Sequence, residues 1–263
     1  MYGMYEIIIK DALERNDYDK IRECIVKGAF SARVKMEVAY EVGAKKDNWD
    51  LALYIVSTIS EEKQYVWEVY HEAKFLLIRA IIEDRLDVVK NLTKERAYLF
   101  PDNGGSVLAV SYAIESGKLE ILKYYVEEEN LNINDLHSKP IIDEAKPQLL
   151  LFFAVSCYLI RDSNILRYLV DSNKVNVTIL NENNENILFP IVRQGSYRDL
   201  PALKYLLDEK RVRFDINWRN NQNMTLVHIA ILKDRMEFLE YLVGEKKAIV
   251  STPAEWNVKP PLH

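Results

Sequence analysis

The side chains of this chain best suited to metal binding or nucleophilic work are four histidines, His71, His137, His228 and His263, and two cysteines, Cys24 and Cys157. They are scattered over separate segments. They therefore give neither a four-cysteine zinc site nor the close paired spacing of a mixed cysteine–histidine one. His71-Glu72 opens like a zinc-protease helix, but the second histidine of that motif is missing. Gly104-Gly105 before Ser106 suggests a phosphate loop only until the next residues are read: no Lys-Ser or Lys-Thr pair follows, and the stretch reads as a turn. Asn91-Leu-Thr93 and Asn176-Val-Thr178 match the glycosylation sequon, which means little where Met1–Tyr5 runs into a charged helix with no secretory signal. No catalytic set, metal site or cofactor is expected, and the chain is read as a non-enzyme.

What must position these side chains is a repeated unit. Asn220 to Val243 reads as two short amphipathic segments joined by the polar turn Lys233-Asp-Arg235. Val227, Ile229, Ala230 and Ile231 give the first an apolar face; Phe238, Leu239, Leu242 and Val243 form one stripe of the second. Helices of about two or three turns do not persist alone in water, so each pair must bury its face against neighbours. The neighbours are copies. Ile121-Leu-Lys-Tyr124, Ile165-Leu-Arg-Tyr168, Ala202-Leu-Lys-Tyr205 and Phe238-Leu-Glu-Tyr241 repeat the second helix, their tyrosines 44, 37 and 36 residues apart. Fainter copies are Asp19-Lys-Ile-Arg-Glu23, Asp50-Leu-Ala-Leu-Tyr54 and Asp87-Val-Val-Lys-Asn91. A small residue recurs in the first helix at Ala12, Gly43, Ala80, Ala113, Ala154 and Ala230, with Ile191 in that place in the sixth copy. One helix pair per unit at a near-constant period is the signature of a solenoid.

The links between pairs point to its type. Phe214-Asp-Ile-Asn-Trp-Arg-Asn220 leads into Thr225-Leu-Val-His228, Val175-Asn-Val-Thr178 leads into Asn181–Asn186, and Asn132-Ile-Asn134 follows the fourth pair. Here the sequence resembles the ankyrin repeat, in which a D-V-N-type turn, a polar loop, T-P-L-H and two antiparallel helices with an intervening Gly succeed one another. The resemblance implies an all-α, ankyrin-type solenoid of about seven helix-turn-helix repeats with short hairpin loops. The approximate units are 1–30, 31–60, 61–98, 99–135, 136–175, 176–214 and 215–250; residues 251–263, ending Pro260-Pro-Leu-His263, form a C-terminal segment or the start of an eighth. Two readings of that end stand: a longer natural chain, or Ala248–His263 folding back as a cap.

The departures are specific. Only one complete unit has the Thr–His pair; Ile78, Ser111, Phe152 and Phe189 stand where His belongs. Insertions of about three residues near Arg161 and Tyr197 are assigned to loops, where extra length is tolerated. The inter-helix Gly survives as Gly117 and Gly195, while Asn16, Asp47 or Asn48, Asp84 and Asp234 replace it elsewhere. Asn and Asp tolerate the left-handed conformation best among non-Gly residues, so the turn can still form.

Forty acidic against 35 basic residues leave a net charge of −5, which argues against general nucleic-acid binding. Leu149–Ile160 is apolar but too short to span a membrane. Two cysteines in different units read as buried thiols of a reducing, cytoplasmic compartment. Lys210-Arg211-Val-Arg213 reads as a solvated basic turn, and Glu127–Pro147, the longest link, as a tolerated insertion or a functional loop.

What remains is surface. Stacked repeats align their loop tips and the outer side of each first helix into one concave binding face. The resemblance places Tyr70, Glu72, Lys74, Glu83, Glu115, Arg193, Gln194, Trp218, Gln222 and Lys233 on or near it, with Trp67 beside Tyr70. Trp, Tyr and Arg dominate interface energetics, although Trp67 is equally suited to packing between units. The four repeated tyrosines follow the second-helix stripe and read as packing residues. The expected partner is another protein, with no nucleic acid and no membrane. The alternative is the recognition portion of a larger enzyme or membrane protein whose catalytic part lies beyond residue 263. As an enzyme in its own right the chain would depend on His71 or His137. The bias toward Ile, Lys, Asn and Tyr is similar in style to ankyrin proteins of intracellular bacteria, large DNA viruses and protists, and implies a host-directed factor.

Overall fold

The computed structural model describes residues 2–28, 30–60, 69–94, 104–134, 150–156, 163–172, 175–195, 199–209 and 213–250. The chain divides into two compact units, Met1–Leu131 and Asn132–His263. Among the described residues the regular elements are helices, and no strand occurs. In the N-terminal unit α1 (Tyr2–Arg15) pairs with α2 (Tyr18–Lys27), α3 (Ala32–Tyr40) with α4 (Trp49–Ser60), α5 (Tyr70–Ile82) with α6 (Leu86–Lys94), and α7 (Gly104–Glu115) with α8 (Leu119–Lys123). In the C-terminal unit α9 (Leu150–Ser156) pairs with α10 (Ser163–Asp171), α11 (Leu188–Gln194) with α12 (Leu200–Lys204), and α13 (Leu226–Leu232) with α14 (Met236–Glu240). First helices pack on first helices, α3 on α5 and α5 on α7 in one unit, α9 on α11 and α11 on α13 in the other. In the N-terminal unit second helices likewise pack on second helices, α2 on α4, α4 on α6 and α6 on α8.

Five of the pairs are closed by the same turn. Asn16, Asp47, Asp84, Gly117 and Asp234 hold φ between 53° and 71°, so the Asn and Asp substitutes do adopt the left-handed conformation. The amide that follows bonds back five residues to the recurring alanine: Asp17 N–H to Ala12 O at 2.9 Å, Arg85 to Ala80 at 2.8 Å, Lys118 to Ala113 at 2.7 Å and Arg235 to Ala230 at 2.8 Å. All four alanines are buried. In the second pair the π-helical turn Glu41–Lys45 shifts the bond by one residue, from Asn48 to Val42 O at 2.8 Å. Gly195 departs from this pattern, contrary to its assignment as an inter-helix turn glycine. Its φ is −61°, and a Cβ there would meet Ile191 O at 2.2 Å and Phe238 at 3.0 Å. Gly is needed at 195 for close approach rather than for handedness.

Three second helices widen at their tyrosine into π-helical turns, Tyr124–Glu128, Tyr205–Glu209 and Tyr241–Glu245. Left-handed Asn130 and Lys247 then stop two of them, and the next amides bond back to Tyr125 O at 3.0 Å and Leu242 O at 2.9 Å. Phe238 and Leu242 are fully buried as the stripe requires, and Leu239 and Val243 are half-buried. Ile231, assigned to the apolar face of the first helix, is instead 49% exposed. Its equivalents Ile81 and Val192 are buried, each on a first helix with another first helix packed after it, and no described helix pair follows α13 and α14.

The repeated tyrosines line the second helices. Tyr124, Tyr205 and Tyr241 are buried and Tyr168 is half-buried. Tyr205 donates to Asp171 Oδ1 at 2.5 Å and Tyr241 to Asp208 Oδ2 at 2.9 Å, each in the preceding pair. A cation from the preceding pair lies over four tyrosine rings: Arg22 over Tyr54 at 4.3 Å, Lys90 over Tyr124 at 4.9 Å, Arg167 over Tyr205 at 4.2 Å and Lys204 over Tyr241 at 4.9 Å. In three cases the glutamate one turn past the tyrosine also holds the cation, Glu128 at 2.7 Å, Glu209 at 3.2 Å and Glu245 at 3.3 Å. An exposed ion pair contributes about 0.2–1 kcal/mol and a cation over a ring about 0.5–1 kcal/mol. The two together make a modest clamp at each junction. Between α4 and α6 both halves lapse at once: Leu53 stands where the cation belongs and Asn91 where the tyrosine belongs.

Candidate functional site

Two loops of the C-terminal unit are near duplicates. Asn181 Oδ1 accepts the amides of Asn183 at 2.9 Å and Glu185 at 3.0 Å; Asn220 Oδ1 accepts those of Gln222 at 3.0 Å and Met224 at 2.9 Å. Each loop turns through a left-handed asparagine, Asn184 or Asn223. The second loop lies on the first. Asn221 N–H bonds Asn183 O at 2.9 Å, the Asn221 side chain bonds Glu182 O at 3.0 Å, and Trp218 Nε1 donates to Asn184 O at 2.7 Å.

Under these tips lies a carboxylate. The Glu185 side chain is 2% exposed and accepts from Arg193 through both Nη1, at 3.1 Å, and Nη2, from Asn220 Nδ2 at 2.9 Å and from Asn181 Nδ2 at 3.2 Å. Burial works to raise its pKa; the bonds from Arg193, Asn220 and Asn181 outweigh that and hold it below the usual glutamate value. The carboxylate thus ties α11 of its own repeat, through Arg193, to the loop of the next repeat, through Asn220.

The Thr–His pair does the work its type implies. His228 Nδ1 accepts the Thr225 amide at 3.0 Å and lies 2.8 Å from Thr225 Oγ1, with both residues buried. His228 is a capping residue of α13. One repeat earlier Asn186 substitutes for the threonine and accepts the Leu188 amide at 3.0 Å, while Phe189 fills the histidine position. Ile78, Ser111 and Phe152 are buried in that position too, Ser111 bonding Val107 O within its own helix at 2.9 Å.

On the first helices of the N-terminal unit a different surface forms. Phe75, 42% exposed, lies edge-on to His71 at 4.7 Å and tilted toward Tyr40 at 6.3 Å, while Lys45 lies 5.7 Å from the Tyr40 ring. Further along, burial alone raises the Glu115 pKa, and burial together with that carboxylate raises the Tyr112 hydroxyl. Between α1 and α3 a cavity of about 600 Å³ opens, lined by apolar Ile9, Leu13, Val34 and Val38 together with charged residues of both helices.

The residues expected to bind distribute unevenly. Gln194, Gln222 and Lys233 are exposed; Tyr70, Glu72, Lys74, Glu83, Glu115, Arg193 and Trp218 are half-buried. Glu83 is paired with Arg79, Arg193 is taken up by Glu185, and Trp218 spends its N–H on Asn184. Trp67 lies outside the described residues, as do Cys157, His137, His263, the insertion sites near Arg161 and Tyr197, residues 210–212 of the basic turn and residues 135–147 of the long link. Sequence reasoning passed over Phe75 and Tyr40, although Phe75–Ile78 is a run of four apolar residues of which one helix stripe cannot hide all. It passed over Glu185 altogether.

Among the described residues no three His, Cys, Asp or Glu side chains are grouped to hold a metal ion, and no helix is long and apolar enough to cross a membrane. Cys24 is a buried free thiol. No curated protein matches the chain. The family model for ankyrin repeats matches residues 151–253, in three copies. That segment holds the stacked asparagine loops, the Glu185 ion pair and the Thr225–His228 cap, and over it the chain is similar to ankyrin repeats.

Proposed function

We propose that all seven helix pairs are repeats of this one type and that the chain is a non-catalytic recognition module for another protein. The observation that carries the reading is the aromatic group Tyr40, His71 and Phe75 on the first helices of neighbouring pairs. A helix that only needed to pack would not leave Phe75 in water beside two further rings; such a cluster is the kind of anchor interfaces use. Exposed Gln194, Gln222 and Lys233 belong to the same first-helix and loop-tip side of the C-terminal repeats. A net charge of −5 suits a protein partner better than a polyanion. Buried, free Cys24 suits a reducing compartment, which supports the reading of a cytosolic partner. The test is affinity capture with wild-type chain and with a Tyr40→Ala, Phe75→Ala, Lys233→Ala variant of unchanged circular dichroism. A protein held by the first and lost by the second supports the reading. Equal capture by both overturns the assignment of the surface.

A further inference from the structure

Beside the aromatic group on α3 and α5 lies a carboxylate with an unused oxygen. Glu72 Oε2 is buried and has no hydrogen-bond partner among the described residues. Helical spacing sets Glu72 one turn before both Phe75 and Leu76, on the same side of α5. That side faces α3: Phe75 is tilted toward Tyr40 at 6.3 Å, and a Cβ at Gly43 would meet Leu76 Cδ1 at 3.2 Å. Glu72 as a residue is half-buried, and His71 and Phe75 beside it are exposed, so the group is open to solvent on its outer side. The first turn of a helix suits an acid, because the dipole favours negative charge there. The dipole does not explain an oxygen withdrawn from water without a bond, which costs free energy until a donor arrives.

The cations of these helices are committed elsewhere. Arg33 pairs with Glu37 at 3.0 Å, Lys45 with Glu41 at 2.7 Å, and Arg79 with Glu83. Lys35 is buried and donates to Thr58 O of α4 at 3.4 Å. Lys74, two residues from Glu72, projects from another side of α5. Of the four glutamates, Glu72 alone has no ion pair among the described residues. The rings ask for the same charge. An aromatic face attracts a cation within about 6 Å of its centre, and Lys45 already lies 5.7 Å from the Tyr40 ring. Phe75, with His71 against it edge-on, offers a further face. A flat cation that stacks on a ring and donates sideways meets both demands, and guanidinium does so better than the compact, strongly hydrated ammonium. We propose that the Tyr40–Phe75 group receives one arginine side chain of the partner protein, its guanidinium lying on the Phe75 ring and bonding Glu72. The proposal rests on the recognition role given above to the same rings and names the chemistry they select.

The experiment titrates the full chain with Nα-acetyl-arginine methylamide and follows the ring signals of Tyr40, His71 and Phe75 by NMR. The citrulline derivative, of the same shape without the charge, is the control. The expected result is a saturating shift with arginine and binding about tenfold weaker with citrulline, the size of effect a cation held by a ring and a carboxylate produces. Glu72→Gln should erase that difference without lowering Tm, since the unused oxygen has no bond to lose; a merely structural glutamate would lower it. Equal response to the two derivatives overturns the proposal, as does the absence of a saturating shift or an arginine preference that survives Glu72→Gln. Affinity capture separates this failure from that of the recognition reading. A protein lost by the Tyr40→Ala, Phe75→Ala, Lys233→Ala variant but held in full by Glu72→Gln overturns the arginine assignment alone. Equal capture by wild type and the triple variant overturns both.

Discussion

Glu185→Ala is the sharpest test of how the loops are held. The substitution removes a 2%-exposed carboxylate that receives both guanidinium nitrogens of Arg193 and the side-chain amides of Asn220 and Asn181. The Arg193 side chain is 30% exposed and can turn to water, so its charge is not stranded. Asn220 is buried and cannot, and an unsatisfied buried donor costs about 1–3 kcal/mol. With the charge-assisted bonds added, the loss should reach about 3–5 kcal/mol, the usual range for breaking a buried pair. Arg193→Ala should cost a similar amount, because it leaves the carboxylate buried without its counter-charge. The double variant should cost less than the two together by about 2 kcal/mol, since both remove one interaction. Urea unfolding followed by circular dichroism reads all three. Acid titration gives the sign independently: the folded pKa of Glu185 is lowered, so its contribution is complete above the ordinary glutamate value of about 4.3 and is lost as pH falls through the lowered one. Glu185→Gln should flatten that acid limb. An alanine variant that loses less than about 1 kcal/mol, well below the range for a broken buried pair, refutes the reasoning.

Other outcomes follow from single contacts. Tyr205→Phe and Tyr241→Phe each delete a hydroxyl bonded to an aspartate in the preceding pair and should cost about 1–2 kcal/mol in thermal or urea unfolding, with no change in helix content. Lys247→Gly relieves a left-handed lysine at φ 56° and should gain about 0.5–1 kcal/mol, read as a rise in Tm. Glu115 carries a carboxyl pKa raised by burial, so its charged form weakens the fold: stability is fullest below the ordinary value and falls as pH rises through the raised one. Glu115→Gln should therefore raise Tm at neutral pH, and the gain should vanish below pH about 4.3.

The turns were legible because a positive φ is a demand few residues meet, which pointed to Asn16, Asp47 or Asn48, Asp84, Gly117 and Asp234; Asp47 takes the second turn, and Gly195, picked on the same ground, does not take a positive φ. The alanine spacing and the tyrosine stripe were legible because helix packing imposes a period on side-chain size. Glu185 was not. In sequence it is an acid in a run of asparagines and reads as solvated; it is buried only because Asn220, 35 residues later, closes over it. Arg193 and Trp218 were picked by residue type, and type does not reveal that Glu185 and Asn184 already claim their polar atoms. Phe75 was lost in an apolar run whose exposed member only the neighbouring helix defines.

The lapse at Leu53 and Asn91 bears on how the N-terminal unit answers force. At the junctions from α2 to α4 and from α6 to α8 a side chain bridges the second helices from outside, so sliding them apart must break a polar contact as well as expose apolar surface. From α4 to α6 that clamp is missing, and the bridge is instead Arg85, just before α6, which lies 5.7 Å over the Trp49 ring of α4 and 3.9 Å from Asp47. Stretched end to end, this unit is tied at that seam through its inter-helix turns, where Arg85 and Asp47 lie, and not along the outer faces of α4 and α6.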